Sequence, residues 1–226
     1  MSQTVIGVDG CPGGWIAAIW GVSLRLRLFR HFADILEEQA SVIAVDMPIG
    51  LPQKHGRAAE SEARRLLKGR PSSIFAIPSR AALAEADYRA ACAVNLLHSD
   101  PPRKFSRQTF NLFPKLREMD AVMTPALQER VHEVHPELGF CAMNGFVALA
   151  YSKKTDEGAD ERLKLLRRHG VPGPDFGFPR KDVRRDDVID ACACAWSARR
   201  ILDGKALHWP ATDARDARGL LMRIEV

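Results

Sequence analysis

Asp9 interrupts an apolar run. In TVIGVDGCPGGWIAAIW, Thr4 to Trp20, it lies where Val5, Ile6 and Val8 give way to a Gly/Pro turn, and Ile16 to Ile19 resume the run at once. A carboxylate in so apolar a setting costs free energy unless a metal ion, a metal-held phosphate or turn N–H groups compensate its charge. The plain alternative is that the glycine turn alone satisfies it. Asp46 repeats the pattern, ending the continuous apolar run of SVIAVDMP, Ser41 to Pro48. If the two runs are neighbouring strands, Asp9 and Asp46 converge, and like charges at that range require a cation between them or a proton on one.

Four more carboxylates belong to the same question. In VHEVHPELGF, Val131 to Phe140, Glu133, His135 and Glu137 alternate. Read as a strand, that puts all three on one face, with Pro136 limiting pairing on one side. Two carboxylates and an imidazole together suit metal ligation or acid/base work. The alternative is a satisfied buried His135 with one glutamate paired to an arginine, and the spacing does not choose between Glu133 and Glu137. In RRDDVIDACACAWSARRI, Arg184 to Ile201, Asp187 and Asp190 lie three apart at the start of a helix, with Asp186 as the expected N-cap. For Asp187 the alternative is ordinary helix-terminus chemistry. Ala191, Ala193, Ala195 and Ala198 leave this helix smooth enough to pack closely on a sheet.

The elements that must position these groups follow from periodicity. Thr4 to Trp20 reads as a hairpin, and Val22 to Phe29, with Leu24, Leu26 and Leu28 alternating with Arg25 and Arg27, as a third strand near an edge. His31 to Ala40 is a short amphipathic helix, and Val42 to Val45 is a strand buried on both faces. From Gly50 to about Arg130 the strand signal disappears. Helices are expected over Arg57 to Lys68, Arg80 to Leu97, Ser106 to Met119 and from Pro125, with a loop at Arg70 to Arg80 anchored by Ile74, Phe75 and Ile77, and a break at DPPRK. Further on come a short helix at Asn144 to Ala150, another at Asp160 to Arg168 stopped by Gly170, and a last strand from Gly219 to Val226. One domain spanning residues 1–226, α/β in class, with a helical insertion at about 50–130, accommodates this order.

Composition bounds the rest. The net charge of +5 suits an anionic partner. Between Gln53 and Glu118, 13 Lys/Arg face 6 Asp/Glu, so the basic excess is concentrated in the insertion. No run approaches the ~18 to 20 apolar residues of a membrane span, and no basic region with an apolar stretch and cleavage site opens the sequence. No membrane association and a cytoplasmic location are therefore expected. Cys11, Cys92, Cys141, Cys192 and Cys194 form no C-x-x-C pair and are expected as small core residues. The strand bearing Arg25 and Arg27 is open either to solvent or to a second copy of the chain in a homodimer.

Two hairpin-joined strands with Asp9 in the first, a third strand, a helix, a parallel strand ending in Asp46 and a late D-x-x-D-A helix resemble the ribonuclease H fold, a mixed sheet flanked by helices. The segment DVIDACA resembles the corresponding helix of Holliday-junction resolvases. More closely, GVDGCPGGWIAA, DMPIGLP, RPSSIFAIPSR, FSRQTFNLFPKLREMD, HEVHPELGF, SKKTDEG and DDVIDACACAW resemble, in order along the whole chain, the domain of unknown function 429 family of predicted ribonuclease H-like nucleases. Where that pattern has Cys-Asp before the basic helix, this chain has Ala59 and Glu60.

The resemblance implies metal-dependent hydrolysis of phosphodiesters. On that expectation Asp9 bridges two Mg²⁺ or Mn²⁺ ions, Asp46 and Asp187 each add a ligand, and Asp190 with Glu133 or Glu137 completes the set. Arg70, Arg80, Lys153 and Lys154 hold phosphates of a nucleic acid or a phosphorylated small molecule. Two other readings stand beside it. One is a non-catalytic module that binds metal or nucleotide through the same acidic set. The other is an actin-like phosphotransferase, which also opens with a V-D-G hairpin but normally needs two such domains.

Overall fold

The computed structural model describes residues 3–67 and 73–226. Its centre is a five-stranded sheet built from β1 (Val5–Cys11), β2 (Gly14–Trp20), β3 (Leu24–Phe29), β4 (Val42–Val45) and β5 (Val131–Glu133). The strand order is β3-β2-β1-β4-β5, with β2 antiparallel to its neighbours and β4 parallel to both β1 and β5. This mixed α/β architecture is consistent with a ribonuclease H-like fold. β1 runs two residues past Asp9 before the turn at Pro12 and Gly13. Gly14, with φ +136°, returns the chain so close to β3 that a Cβ there would stand 2.2 Å from the Phe29 carbonyl.

Helices cover both faces. α1 (Phe32–Leu36), α3 (Arg80–Leu83), α4 (Tyr88–Leu97), α5 (Arg107–Asn111) and α6 (Phe113–Val122) lie on the face of Ile6, Val8, Ile43 and Val45. The opposite face carries α2 (Ala58–Leu66), α7 (Pro136–Met143), α8 (Asp156–Arg168) and α9 (Arg185–Leu202). The insertion after β4 thus contributes to both layers. β6 (His208–Trp209) and β7 (Ile224–Glu225) make a separate two-stranded pair, and Glu225 bridges to Val134 beyond β5. Among the described residues no helix is long and apolar enough to cross a membrane.

Several elements depart from periodicity for identifiable reasons. The helix expected over Arg80 to Leu97 is two, because Asp87 caps α4 by accepting from the amides of Arg89 and Ala90. Ser106 likewise caps α5, and the chain restarts at α6 with Pro114 in its first turn. Pro125 opens no α-helix; a 3-10 turn at Leu127–Glu129 follows it. The strand expected through Phe140 ends at Glu133, since Pro136 fits the first turn of α7, where its missing N–H costs nothing. Residues 144–150 are turn and not helix, with Gly145 and Phe146 at positive φ. α8 begins at Asp156, earlier than expected, because Thr155 caps it. The N-cap of α9 is Arg184 and not Asp186, and the last strand shrinks to Ile224–Glu225. All five cysteines are free and buried.

β3 is an edge, and its two arginines are occupied. Arg25 and Arg27 both pair with Glu38 at 3.0 and 2.6 Å. Of the apolar anchors in the loop before α3, Ile74 and Ile77 are buried while Phe75 is exposed.

Candidate functional site

Strand parity decides which carboxylates meet. Side chains alternate along a strand, and residues paired across a parallel ladder share a face. Gly7 pairs with Ala44 on the α9 side, so Asp9 and Asp46 follow on that side two residues later. The amide of Asp46 donates to the Val8 carbonyl at 2.9 Å, which extends the ladder past the end of β4 and sets Asp46 beside Asp9. Both lie at the carboxyl ends of adjacent parallel strands, where α/β sheets gather ligands. α9 crosses the same face of β1 and brings Asp190 to them, with Asp187 one turn earlier.

The cluster carries more negative charge than its surroundings offset. Asp9 is 9 % exposed and accepts from the Gly10 amide at 2.7 Å. Burial, then the charges of Asp46 and Asp190, hold its carboxyl well above the usual range. Burial also raises Asp46, against the opposing pull of His135 and Lys153; part of its surface stays open, but its carboxyl lies deep among protein atoms. Asp190 is pushed up to about 6 by burial even though Lys153 Nζ stands 2.6 Å from its Oδ2. Its Oδ1 is buried with no hydrogen-bond partner among the described residues. Lys153 itself is raised, because Asp190, Asp9 and Asp46 outweigh the burial of its ammonium. Asp187 spends one oxygen on the helix terminus, accepting from the Arg184 amide at 2.8 Å, and burial raises it too.

The two glutamates separate. Glu137 lies in the first turn of α7, near enough for its charge to act on Asp46 and Asp190, and Arg162 holds it through Oε1 at 2.6 and 3.2 Å. Glu133 pairs in register with Val45, so it points to the opposite face of the sheet from Asp46. There Oε2 accepts from the Ile49 amide at 2.7 Å and from Arg57 Nη1 at 2.9 Å, and Arg57 also binds Glu60. Glu133, His135 and Glu137 therefore do not share a face. Glu60 is the other half of this buried clamp on Arg57.

Arg57→Met is expected to leave two buried carboxylates facing each other and to cost about 3–5 kcal/mol, the scale for removing one partner of a buried ion pair. In a chain of 226 residues that corresponds to a Tm lower by roughly 10 °C. Calorimetry at pH 7 would check it. Because burial raises Glu133 to about 7, the deficit should shrink at pH 5.

The expected phosphate-binding cations also divide. Lys153 is in the cluster, and Lys154 is exposed beside it with no ion pair among the described residues. Arg80 is committed elsewhere, to Asp120 at 2.8 Å and Asp216 at 2.5 Å. Arg70 lies outside the described residues. One neighbour, Lys115, received no role from the spacing of the acidic residues, and His135 stands apart from the ligand role that the spacing offered it. Lys115, from FSRQTFNLFPKLREMD, lies over the Trp15 ring at 4.4 Å, donates to the Gly14 carbonyl and sits against Gly10. His135 donates from Nε2 to the Ser73 carbonyl at 3.3 Å, and its Nδ1 is buried without a partner among the described residues.

Among the described residues, no three His, Cys, Asp or Glu side chains are gathered closely enough to chelate an ion. The donor chemistry nonetheless suits a hard divalent cation: all oxygens, strongly desolvated, with Asp190 Oδ1 lacking any donor. Neither a curated protein nor a solved structure matches the chain. The profile of one family, described as "Protein of unknown function (DUF429)", matches residues 7–215, and with nearly the whole chain covered the protein belongs to that family.

Proposed function

We propose that the protein is a hydrolase of phosphodiester bonds that works with Mg²⁺ or Mn²⁺ held by Asp9, Asp46 and Asp190, with Asp187 at the margin. The observation that carries this reading is the orphaned Oδ1 of Asp190 among the described residues, in a cluster of carboxylates whose protonation is favoured first by burial and then by their mutual repulsion. When bound, such ions supply a water nucleophile at neutral pH and neutralise charge on the leaving oxygen. The remaining work falls to the chain. Lys153, whose ammonium contacts Asp190 at 2.6 Å, would hold a substrate phosphate at the edge of the cluster. Exposed Lys154 extends that contact. Arg162 keeps Glu137 from swinging away from the cluster. The basic insertion favours a nucleic acid as substrate, and the five free cysteines fit a reducing cytoplasm.

One observation favours a second reading, a binding module without turnover. Lys153 already occupies Asp190, and among the described residues no three ligands are gathered in the present arrangement. Calorimetric titration of Mn²⁺ into the wild type and Asp46→Asn, with branched, single-stranded and hybrid nucleic acids assayed in parallel, separates the two. Hydrolysis predicts saturable binding that Asp46→Asn weakens at least tenfold, together with cleavage that the variant loses. Binding without cleavage supports the module, and absence of binding overturns both.

A further inference from the structure

A polar cavity lies in the insertion, apart from the acidic cluster. It measures about 270 Å³ and is lined by His55, Arg64, Arg103, the N-terminal turn of α2 and the 99–101 loop. Its walls are tied together. The His55 amide donates to His98, and the Gly56 amide donates to the Ile77 carbonyl. Arg64 Nε donates to the Ile74 carbonyl at 2.8 Å, and its two terminal nitrogens have no partner among the described residues. The guanidinium of Arg103 has no partner among the described residues.

The tautomer of His55 follows from a buried amide. Asn95 is fully buried, and its Oδ1 accepts from the Ser79 amide at 2.9 Å. Its Nδ2 must therefore be the donor, both to the Arg103 carbonyl at 2.9 Å and to His55 Nδ1 at 3.0 Å. An accepting Nδ1 places the ring proton on Nε2, the polar atom His55 has left for a ligand. Burial and the nearby Arg103 charge also lower the pKa of this imidazole, so it stays neutral as a donor.

The cavity is thus a set of donors. α2 starts without a side-chain cap, so its first-turn amides are unclaimed and its dipole favours an anion. Two carboxylates share the lining: Glu60 is consumed by Arg57, and Asp100 is exposed to solvent. Two guanidinium groups, one imidazole N–H and helix amides outnumber what the two oxygens of a carboxylate accept, and they match a tetrahedral oxyanion. The volume falls below the ~300 Å³ at which pockets for drug-sized ligands begin, which fits a single such group.

The geometry points to a phosphate-binding pocket formed by His55, Arg64, Arg103 and the start of α2, distinct from the acidic cluster. It lies one loop away from that cluster: Ile74, which anchors Arg64, follows Ser73, whose carbonyl meets His135 beside Asp46. A strand-terminal phosphate of a nucleic acid and the phosphate of a small metabolite present the same group.

The test is calorimetric titration of inorganic phosphate into the full chain in EDTA, where no metal can recruit an anion to the carboxylates. Saturable one-site binding is expected, weakened at least tenfold in Arg103→Gln and further in Arg64→Gln/Arg103→Gln. The Nε2–H resonance of His55 in the wild-type protein should shift as phosphate saturates, a readout that needs no variant to fold. Stronger displacement by a 5′-phosphorylated than by a 5′-hydroxyl oligonucleotide assigns the source as nucleic acid, and displacement by ribose 5-phosphate assigns a small molecule. Absence of saturable binding, or binding that Arg103→Gln leaves unchanged, would overturn the proposal. Loss of cleavage chemistry at Asp46 has no bearing on either result.

Discussion

Gly7→Ala should leave the chain unable to fold. A Cβ at Gly7 would stand 1.9 Å from the Ala195 amide nitrogen and 2.2 Å from the Ala191 carbonyl oxygen. Both atoms belong to the backbone of α9, so no rotamer change relieves the contact. The helix must lift off β1, and with it the buried surface it shares with Val5, Ala44 and Val134 through Cys194 and Ala198. A loss of more than about 4 kcal/mol is expected, at the extreme of single substitutions and comparable to the whole stability of a marginal domain. Two other glycines serve as controls. Gly173→Ala meets nothing within 4 Å and should be silent, whereas Gly10→Ala meets only the flexible Lys115 side chain, which can move aside. Soluble yield and thermal melting of the three variants decide the matter. A Gly7→Ala protein that melts within a few degrees of wild type would show that α9 does not seat on β1 this closely.

That close seating explains how much was legible beforehand. GVDG followed by a hairpin, a second apolar run ending in Asp46, and a helix of small residues after Asp190 are strong local patterns. Each dictates its own element, and the shared face of Asp9 and Asp46 follows once β1 and β4 are neighbours. The alanines of α9 and Gly7 are two halves of one contact, visible in the sequence as smallness on both sides. Glu133 was not legible in this way. Its alternation with His135 and Glu137 holds only if the strand continues, and Pro136 starts a helix instead. Which face Glu133 takes depends on its register against Val45, and its partner Arg57 lies 76 residues away. Lys153 was legible as a cation near the acidic set, but its contact with Asp190 spans 37 residues and depends on how α9 and the segment before α8 pack. Local chemistry set the helix breaks at Asp87, Ser106 and Pro136, where a cap or a first-turn proline outweighed apolar periodicity.

Asp9→Asn should stabilise the metal-free protein while removing the metal binding proposed for the cluster. The carboxyls of Asp9, Asp46, Asp187 and Asp190 are all raised above their unfolded values, chiefly by burial. A raised carboxyl contributes stability that is fully present below its unfolded pKa, near 4, and is lost as pH rises through its folded value. For Asp190 that value is about 6, and Glu133, at about 7, acts in the same direction. Wild-type Tm in EDTA should therefore be lower at pH 8 than at pH 6. His55, whose pKa burial lowers, works the other way and limits the gain on further acidification. Asp216 and Glu225, both lowered, lose their contribution only at more acidic pH.

Asn at position 9 keeps the shape and an acceptor for the Gly10 amide but removes the charge that Asp46 and Asp190 repel. At pH 8 it should add roughly 1 kcal/mol, a Tm gain of a few degrees, and flatten the decline between pH 6 and pH 8. Lys153 retains Asp190, so the substitution leaves no buried ammonium stranded. Mn²⁺ tests the other half. Saturation at about 100 times Kd stabilises a protein by about 2.7 kcal/mol, which in the wild type should appear as a Tm rise of several degrees. In Asp9→Asn that response should vanish, and any metal-dependent cleavage should fall by about a thousandfold or more, as when a group that stabilises transition-state charge is removed. A variant that is less stable than wild type at pH 8 and still answers to Mn²⁺ would mean that Asp9 is a structural acceptor for the glycine turn. A variant that is more stable and silent to metal would mean that the chain holds its carboxylates together at a cost in stability, for the sake of the cation they bind.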